Sequence, residues 1–169
     1  MLASADGQDG DADLSSRTCE GDAMRCYGLG AAYNHGRGVE QDYARAAELF
    51  RQACEGGIAI SCVSLGIMYQ TGRGVTQDYA RAAELFRQGC DGGAARACAS
   101  LGAMYYSGIG VLRDYVIGHA LFNLAASRGS TLDAEERARV EDLMTPQQIA
   151  EAQALARRCQ ENGIAACLQ

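Results

Sequence analysis

From Cys26 to Ser61 the apolar positions follow a helical period twice. Leu29, Ala32 and Tyr33 stand at i, i+3 and i+4, one face of a helix. Gly36-Arg37-Gly38 stops that helix, because the turn after a helix often takes a positive φ that glycine accepts without steric cost. Asp42 is placed to cap a second helix, whose apolar stripe is Tyr43, Ala46, Ala47, Phe50 and Ala53. Glu55-Gly56-Gly57 closes it. No stretch alternates in the manner of a strand.

The same pattern then recurs. Cys26–Ser61 and Cys62–Ala97 are each 36 residues long and match at 24 positions without a gap. A third copy begins at Cys98 and keeps Leu101, Gly102, Tyr105, Gly108, Gly110, Asp114, Tyr115, Leu121 and Phe122 in register. A period of this length marks a stacked-repeat architecture. One hairpin cannot bury its own apolar face, so the copies must stack. The expected fold is all-α: an α-solenoid of stacked 36-residue helical hairpins.

Leu-Gly-x-x-Tyr, Gly-x-Gly-Val and Asp-Tyr-Ala-x-Ala-x-x-Leu-Phe together resemble the Sel1-like repeat, a relative of the tetratricopeptide repeat. The resemblance covers Cys26 to about Phe122. With its paired cysteines the chain looks like the Helicobacter-type cysteine-rich proteins, a secreted Sel1-repeat group. Repeats are expected over 26–61, 62–97 and 98–129, with a disordered acidic stretch over 1–14, an N-terminal cap over 15–25 and capping helices over 130–169.

The eight cysteines form four close pairs: Cys19 and Cys26, Cys54 and Cys62, Cys90 and Cys98, Cys159 and Cys167. In the hairpin picture each pair straddles a turn, within disulfide reach of two packed helices. A clip on so short a loop contributes roughly 2.5 kcal/mol by the loop-entropy estimate, so four rival the net stability of a typical domain. Zinc is the competing reading, although its ligands usually stand two to four residues apart. A reactive thiol is another, but it would suit an unpaired cysteine or a C-x-x-C motif. Disulfides would place the chain in an oxidising compartment: periplasm, cell exterior or a mitochondrial intermembrane space. With the resemblance, the expectation is a periplasmic or secreted bacterial protein. Ala3-Ser4-Ala5 has the form of a signal-peptidase site, but the charged and apolar regions of a signal peptide do not precede it; either that peptide is missing from the sequence, as the expected compartment implies, or the match is chance in an Ala-rich stretch.

Net charge is −6, and no basic run supports a nucleic-acid partner. All 15 basic residues are arginine, which removes a Schiff-base lysine, a Walker A lysine or a Ser-x-x-Lys nucleophile. No apolar run approaches membrane-spanning length. His35 and His119 lie in different copies. Thr71 stands at the place of His35 in the second copy, so a surface position is expected; His119 replaces Ala47 and Ala83 on a core stripe and should be semi-buried and hydrogen-bonded. No metal, cofactor or catalytic constellation emerges. Gly36-Arg37-Gly38 recurs as Gly72-Arg73-Gly74 and is a turn, not a phosphate loop; Tyr33, Tyr69 and Tyr105 recur as core ridge.

The third copy departs from the pattern. Ala126 stands where Cys54 and Cys90 stood, and Ser127-Arg128-Gly129-Ser130-Thr131 replaces the usual link. A charged helix from Asp133 to about Leu143 should sit at a solvated end. Thr145-Pro146-Gln147-Gln148 has the chemistry of a helix start.

The resemblance to tetratricopeptide repeats implies that the first helices line a concave groove. Carried onto this chain, its positions are Met24, Tyr27, Ala31 and Asn34 on one first helix. Ile60, Val63, Ile67 and Gln70 follow on the next, then Arg96, Ala99, Ala103 and Tyr106 on the one after. They vary while the framework repeats, and they make an apolar wall rimmed by Asn34, Gln70 and Arg96. Large exposed apolar grooves mark partner surfaces. The expected function is therefore a monomeric interaction module binding a protein or peptide, extended or helical, in that groove. The alternative is that caps cover the wall and it binds nothing. The resemblance also leaves a second class open, since the cysteine-rich group includes members associated with penicillin binding and weak β-lactamase activity.

Overall fold

The computed structural model describes residue 19, residues 21–130 and residues 134–168, apart from the side chains of 134, 166 and 167. Every element among them is a helix. The first hairpin is α1 (Ala23–His35) and α2 (Tyr43–Glu55), and the second is α3 (Ala59–Thr71) and α4 (Tyr79–Asp91). The third is α5 (Ala95–Ser107) and α6 (Tyr115–Ser127); α7 (Ala134–Glu141), α8 (Pro146–Asn162) and α9 (Ile164–Cys167) follow. Partners within a hairpin pack along their length, and each second helix packs on the next first helix. The expected stretch over 1–14 lies outside the described residues, as do residues 15–18 and 20 of the N-terminal cap. Each hairpin begins three residues before the expected boundary, at Ala23, Ala59 and Ala95, so the first-helix cysteines sit one turn inside their helices.

Local chemistry accounts for these bounds. Asp42, Asp78 and Asp114 cap the second helices, each accepting a bond from the backbone N–H three residues on. Each first helix ends on a left-handed glycine: Gly36, Gly72 or Gly108. At the far end Gly57 has φ +87°, its N–H donates to the carbonyl of Cys54, and the Ile58 N–H donates to that of Ala53. This is a Schellman turn. It is kept at Gly129, where Ser130 N–H donates to the Ala125 carbonyl, although the third copy has lost its cysteine there.

Within each hairpin a phenylalanine of the second helix faces a glycine of the first. A Cβ on Gly66 would stand 2.7 Å from the Phe86 ring, so the Leu-Gly pair of the repeat clears space for that ring. Between hairpins, a Cβ on Gly74 would lie 2.4 Å from the Tyr43 carbonyl, and Gly74 also has φ +72°. Arg73 beside it stacks its guanidinium on the Tyr43 ring, 5.1 Å from the centroid. The core runs on through Leu85, Phe86, Leu101, Leu121, Phe122 and Leu124.

Three pairs are closed as expected: Cys19–Cys26, Cys54–Cys62 and Cys90–Cys98, with Cα atoms 4.9, 4.8 and 4.7 Å apart. Cys159 is disulfide-bonded, and no described cysteine is free. The Cys167 side chain lies outside the described residues.

After the third hairpin α8 packs on α6, where a further first helix would lie. Its start is the expected capping box: Thr145 Oγ1 accepts from the Gln148 N–H, Gln148 Oε1 accepts from the Thr145 N–H, and Pro146 opens the helix. α9 returns to α4, and its Ile164 N–H donates to Asp91 Oδ1 at 2.6 Å. The charged helix is shorter than expected, and its Val140 is fully buried.

Two substitutions probe this packing. Gly74→Ala should cost about 2–4 kcal/mol, from a strained φ plus the clash with Tyr43, measured by denaturant unfolding. Ser61 is fully buried and its hydroxyl has no hydrogen-bond partner among the described residues, while Ala97 fills the same place in the third hairpin. Ser61→Ala should therefore raise stability by about 1 kcal/mol and the melting temperature by about 2–4 °C.

Candidate interaction surface

The first helices carry the twelve groove positions. Met24 and Ile60 project at 62% and 41% exposure, and Arg96 and Ala103 are also exposed. Tyr27, Ala31, Asn34, Ile67, Gln70, Ala99 and Tyr106 are half-buried. Val63 is a correction. It is only 1% exposed and belongs to the core with Phe86 and Leu101, so it lines no surface. Its hairpin has a neighbour on each side, and a residue that faces both loses its solvent. Tyr27 in the first hairpin instead meets Phe50, ring centroids 6.0 Å apart.

The far end of these helices is braced from the turns. Gln41 Nε2 donates to the carbonyl of Asn34 at 2.9 Å, and Gln77 Nε2 to that of Gln70 at 2.8 Å. Arg113 takes over in the third copy, donating to the Ser107 carbonyl at 3.1 Å. The braces use backbone carbonyls, and the Gln70 side chain has no hydrogen bond among the described residues. Asn34 Nδ2 lies 3.4 Å from Nε2 of the exposed His35. Tyr106 packs against Tyr115 with centroids 6.0 Å apart.

Within the three hairpins the helices that carry carboxylates are α2 and α4. The segments Ala23–His35, Ala59–Thr71 and Ala95–Ser107 contain none, and neither does α6. In α2 Arg51 bridges Glu48 and Glu55 at 2.6 Å each, and in α4 Arg87 holds Glu84 at 2.6 Å. The Arg51 hydrogen bond, helped by Gln52, pulls Glu48 down to about 2. Arg87 lowers Glu84 in the same way. Burial, assisted by Asp114, raises Tyr105. These side chains are half exposed, so the ladders add little to stability.

His119 is fully buried, more than the semi-burial expected, because α7 closes over it. Its Nε2 lies 2.6 Å from Glu141 Oε1, and its Nδ1 lies 3.1 Å from Asn123 Nδ2. Arg137 completes a ring, reaching Asn123 Oδ1 at 3.4 Å and Glu141 at 3.7 Å. With Arg137 donating to Oδ1, the Asn123 amide presents N–H to Nδ1, which makes Nε2 the ring donor to Glu141. Both imidazole nitrogens are engaged, so the group is a latch between α6 and α7 and offers no free base. No group of three metal-ligating side chains occurs among the described residues, and no described helix is long and apolar enough to cross a membrane.

Three features escaped sequence reading. Leu112 stands 91% exposed in the third turn, where the other copies have Glu40 and Thr76; comparing the copies position by position would have shown it. Arg128, at the place of Gly56 and Gly92, reaches the Cys90 carbonyl and the Cys90–Cys98 bridge. The Asn123–Arg137–Glu141 ring joins α6 to α7, a helix outside the repeat, so the repeat pattern does not lead to it.

The Sel1 repeat family model matches residues 26–58, 59–93 and 95–130. Among solved structures the chain is similar to a protective antigen of uropathogenic Escherichia coli with an SLR fold, at 33% identity and TM-score 0.78, covering 88% of this chain and 32% of that one. It is also similar to a Sel1 repeat protein from Oxalobacter formigenes, at 32% identity and TM-score 0.66, over 77% of this chain and 96% of that one. Helicobacter pylori cysteine rich protein B shares the fold at 22% identity and TM-score 0.54, over 68% and 93% of the two chains. No curated protein matches the sequence. The chain thus spans about a third of the Escherichia coli antigen.

The latch has a measurable consequence. His119→Ala, which restores the alanine of the other copies, should cost about 1–3 kcal/mol by leaving Glu141 and Asn123 without their partner. Hydrogen exchange should quicken in α7 while α1–α4 keep their protection.

Proposed function

Since the chain belongs to the Sel1-repeat family, we propose that it is a scaffold whose first helices together bind an extended segment of a partner protein. Sel1-repeat proteins are generally non-enzymatic scaffolds for protein interaction. The observation that carries the groove reading is the contrast within the repeat. Framework positions are nearly invariant between the first two copies, whereas the row Met24, Ile60 and Arg96 changes and stays exposed. Packing does not dictate those residues. In a superhelix of this kind the first helices form the inner wall, and Tyr27, Ala31, Ile67, Ala99, Ala103 and Tyr106 then supply apolar contact area. Asn34 and Gln70 supply amides at the rim, suited to the backbone of an extended chain. The lack of carboxylates on this wall favours a segment that carries its own negative charge, with Arg96 as its counter-ion.

The disulfides and the shared fold with the Helicobacter protein suggest a place outside the cytoplasm. The finer reading is a periplasmic or secreted bacterial protein. It is read as a monomer, because the outward face of α8 carries Glu151, Gln153, Arg157, Arg158 and Gln160, and that charged and amide-bearing face discourages end-to-end stacking.

The test is selection of displayed peptides against the full, oxidised chain. Selected peptides should slow hydrogen exchange along α1, α3 and α5. The pair Ile60→Arg and Ala103→Glu, both at exposed positions, should weaken their binding at least about tenfold and leave the melting temperature within about 2 °C. Protection confined to the second helices, or undiminished binding by the variant, would discard the groove. Turnover of a chromogenic β-lactam by the same preparation would instead favour an enzyme.

A further inference from the structure

The disulfides are equivalent by repeat, so each serves as a control for the others. Cys19–Cys26 faces the amide of Gln52, whose Oε1 lies 3.0 Å from Cys19 Sγ and 3.8 Å from Cys26 Sγ. Cys54–Cys62 faces the equivalent Gln88, with Oε1 3.7 Å from Cys54 Sγ. At Cys90–Cys98 the environment is reversed by two substitutions. The glutamine becomes Leu124, and the glycine of the link becomes Arg128. The Arg128 Nη1 lies 3.0 Å from Cys98 Sγ and 3.6 Å from Cys90 Sγ, while also donating to the Cys90 carbonyl. All six sulfurs belong to buried residues, Cys90 and Cys98 fully so, and desolvation opposes a thiolate in every pair; the group alongside is what sets Cys90–Cys98 apart in sign.

We infer that Cys90–Cys98 is the bridge that dithiols open selectively, a redox-sensitive joint between the second and third hairpins. A partial negative oxygen beside a sulfur opposes a thiolate, whereas a guanidinium stabilises one. Cys98 also lies in the first turns of α5, at the positive end of that helix. That placement is common to Cys62, so the arginine is the difference. In the reaction a dithiol thiolate attacks Cys90 Sγ, a mixed disulfide forms, and Cys98 leaves as a thiolate beside Arg128. The second dithiol sulfur loses its proton and attacks the mixed disulfide, forming the oxidised reagent and releasing Cys90, which takes up one proton. Two electrons pass from dithiol to protein, and the other proton goes to solvent. A leaving thiol of lowered pKa departs faster, and a stabilised thiolate favours the reduced state at equilibrium. Opening this bridge frees the α4–α5 turn, Gly92-Gly93-Ala94, from its covalent restraint while the other bridges hold.

The experiment equilibrates the full chain in graded oxidised and reduced dithiothreitol at neutral pH, traps thiols by alkylation and assigns each pair by mass spectrometry. Cys90–Cys98 should be half reduced at a reduced-to-oxidised ratio about tenfold lower than Cys19–Cys26 and Cys54–Cys62 require. Arg128→Gln should remove that difference and Arg128→Lys should keep most of it, with folding checked by circular dichroism. In the reduced protein, alkylation of Cys98 should persist to lower pH than that of Cys62, a readout that needs no variant. Equal midpoints for the bridges, an order unchanged in folded Arg128→Gln, or matching pH profiles for Cys98 and Cys62 would overturn the inference.

Discussion

The seating of one ring against one glycine sets the rest of the structure. A hairpin of two helices exposes on each side an apolar face that its own partner cannot cover, and it is stable only if the helices approach closely. Gly66 makes that approach possible by leaving room for Phe86, and Gly30 does the same for Phe50. Close helices then bring the next turn down onto the hairpin before it, where Gly74 touches the Tyr43 backbone and Gly110 that of Tyr79. The glycines of the repeat therefore act at two scales, one fixing distance within a hairpin and the other fixing distance between hairpins. A larger residue at either place would disturb every later coil.

The periodic part of this arrangement was legible in the sequence because each hairpin meets the same neighbours. Aspartate caps, glycine turns and three cysteine bridges all follow from local spacing, and local spacing repeats; only the starts of the first helices fall three residues early. What escaped reading is what breaks the period. Val63 shares the register of Tyr27 and Ala99, yet the central hairpin is covered on both sides and its valine is core. His119 could be recognised as a replacement on a core stripe. Its partner Glu141 lies on a helix that belongs to no repeat, so nothing in the sequence pattern leads to it. Of the surface, the alternation between fixed and variable positions is visible in the letters. The exposure of Leu112, and the burial that removes Val63, depend on neighbours that only the packed chain provides.

The end of the array shows how a repeat fold stops. The third copy keeps its Schellman turn at Gly129 without a cysteine, so the backbone turn does not need the bridge. The lost covalent link is replaced by several weaker contacts. Arg128 reaches back to the Cys90 carbonyl, Ile164 donates to Asp91, and the His119 ring ties α7 down. Together they cap the C-terminal end of α4 and cover the final second helix, leaving α8 with a polar outer face.

The bridges and the exposed face of the first helices occupy different parts of the molecule. The bridges join the end of each second helix to the start of the next first helix, at the edge where one coil passes into another. They restrain the angle between hairpins while leaving the exposed face of the first helices untouched. In a solenoid, small changes in that angle add from coil to coil and alter the curvature of the array. A surface built from three short helices can thus keep its local chemistry while its shape is set from its edge. Covalent closure at that edge holds the exposed Met24, Ile60 and Arg96 in a fixed relation.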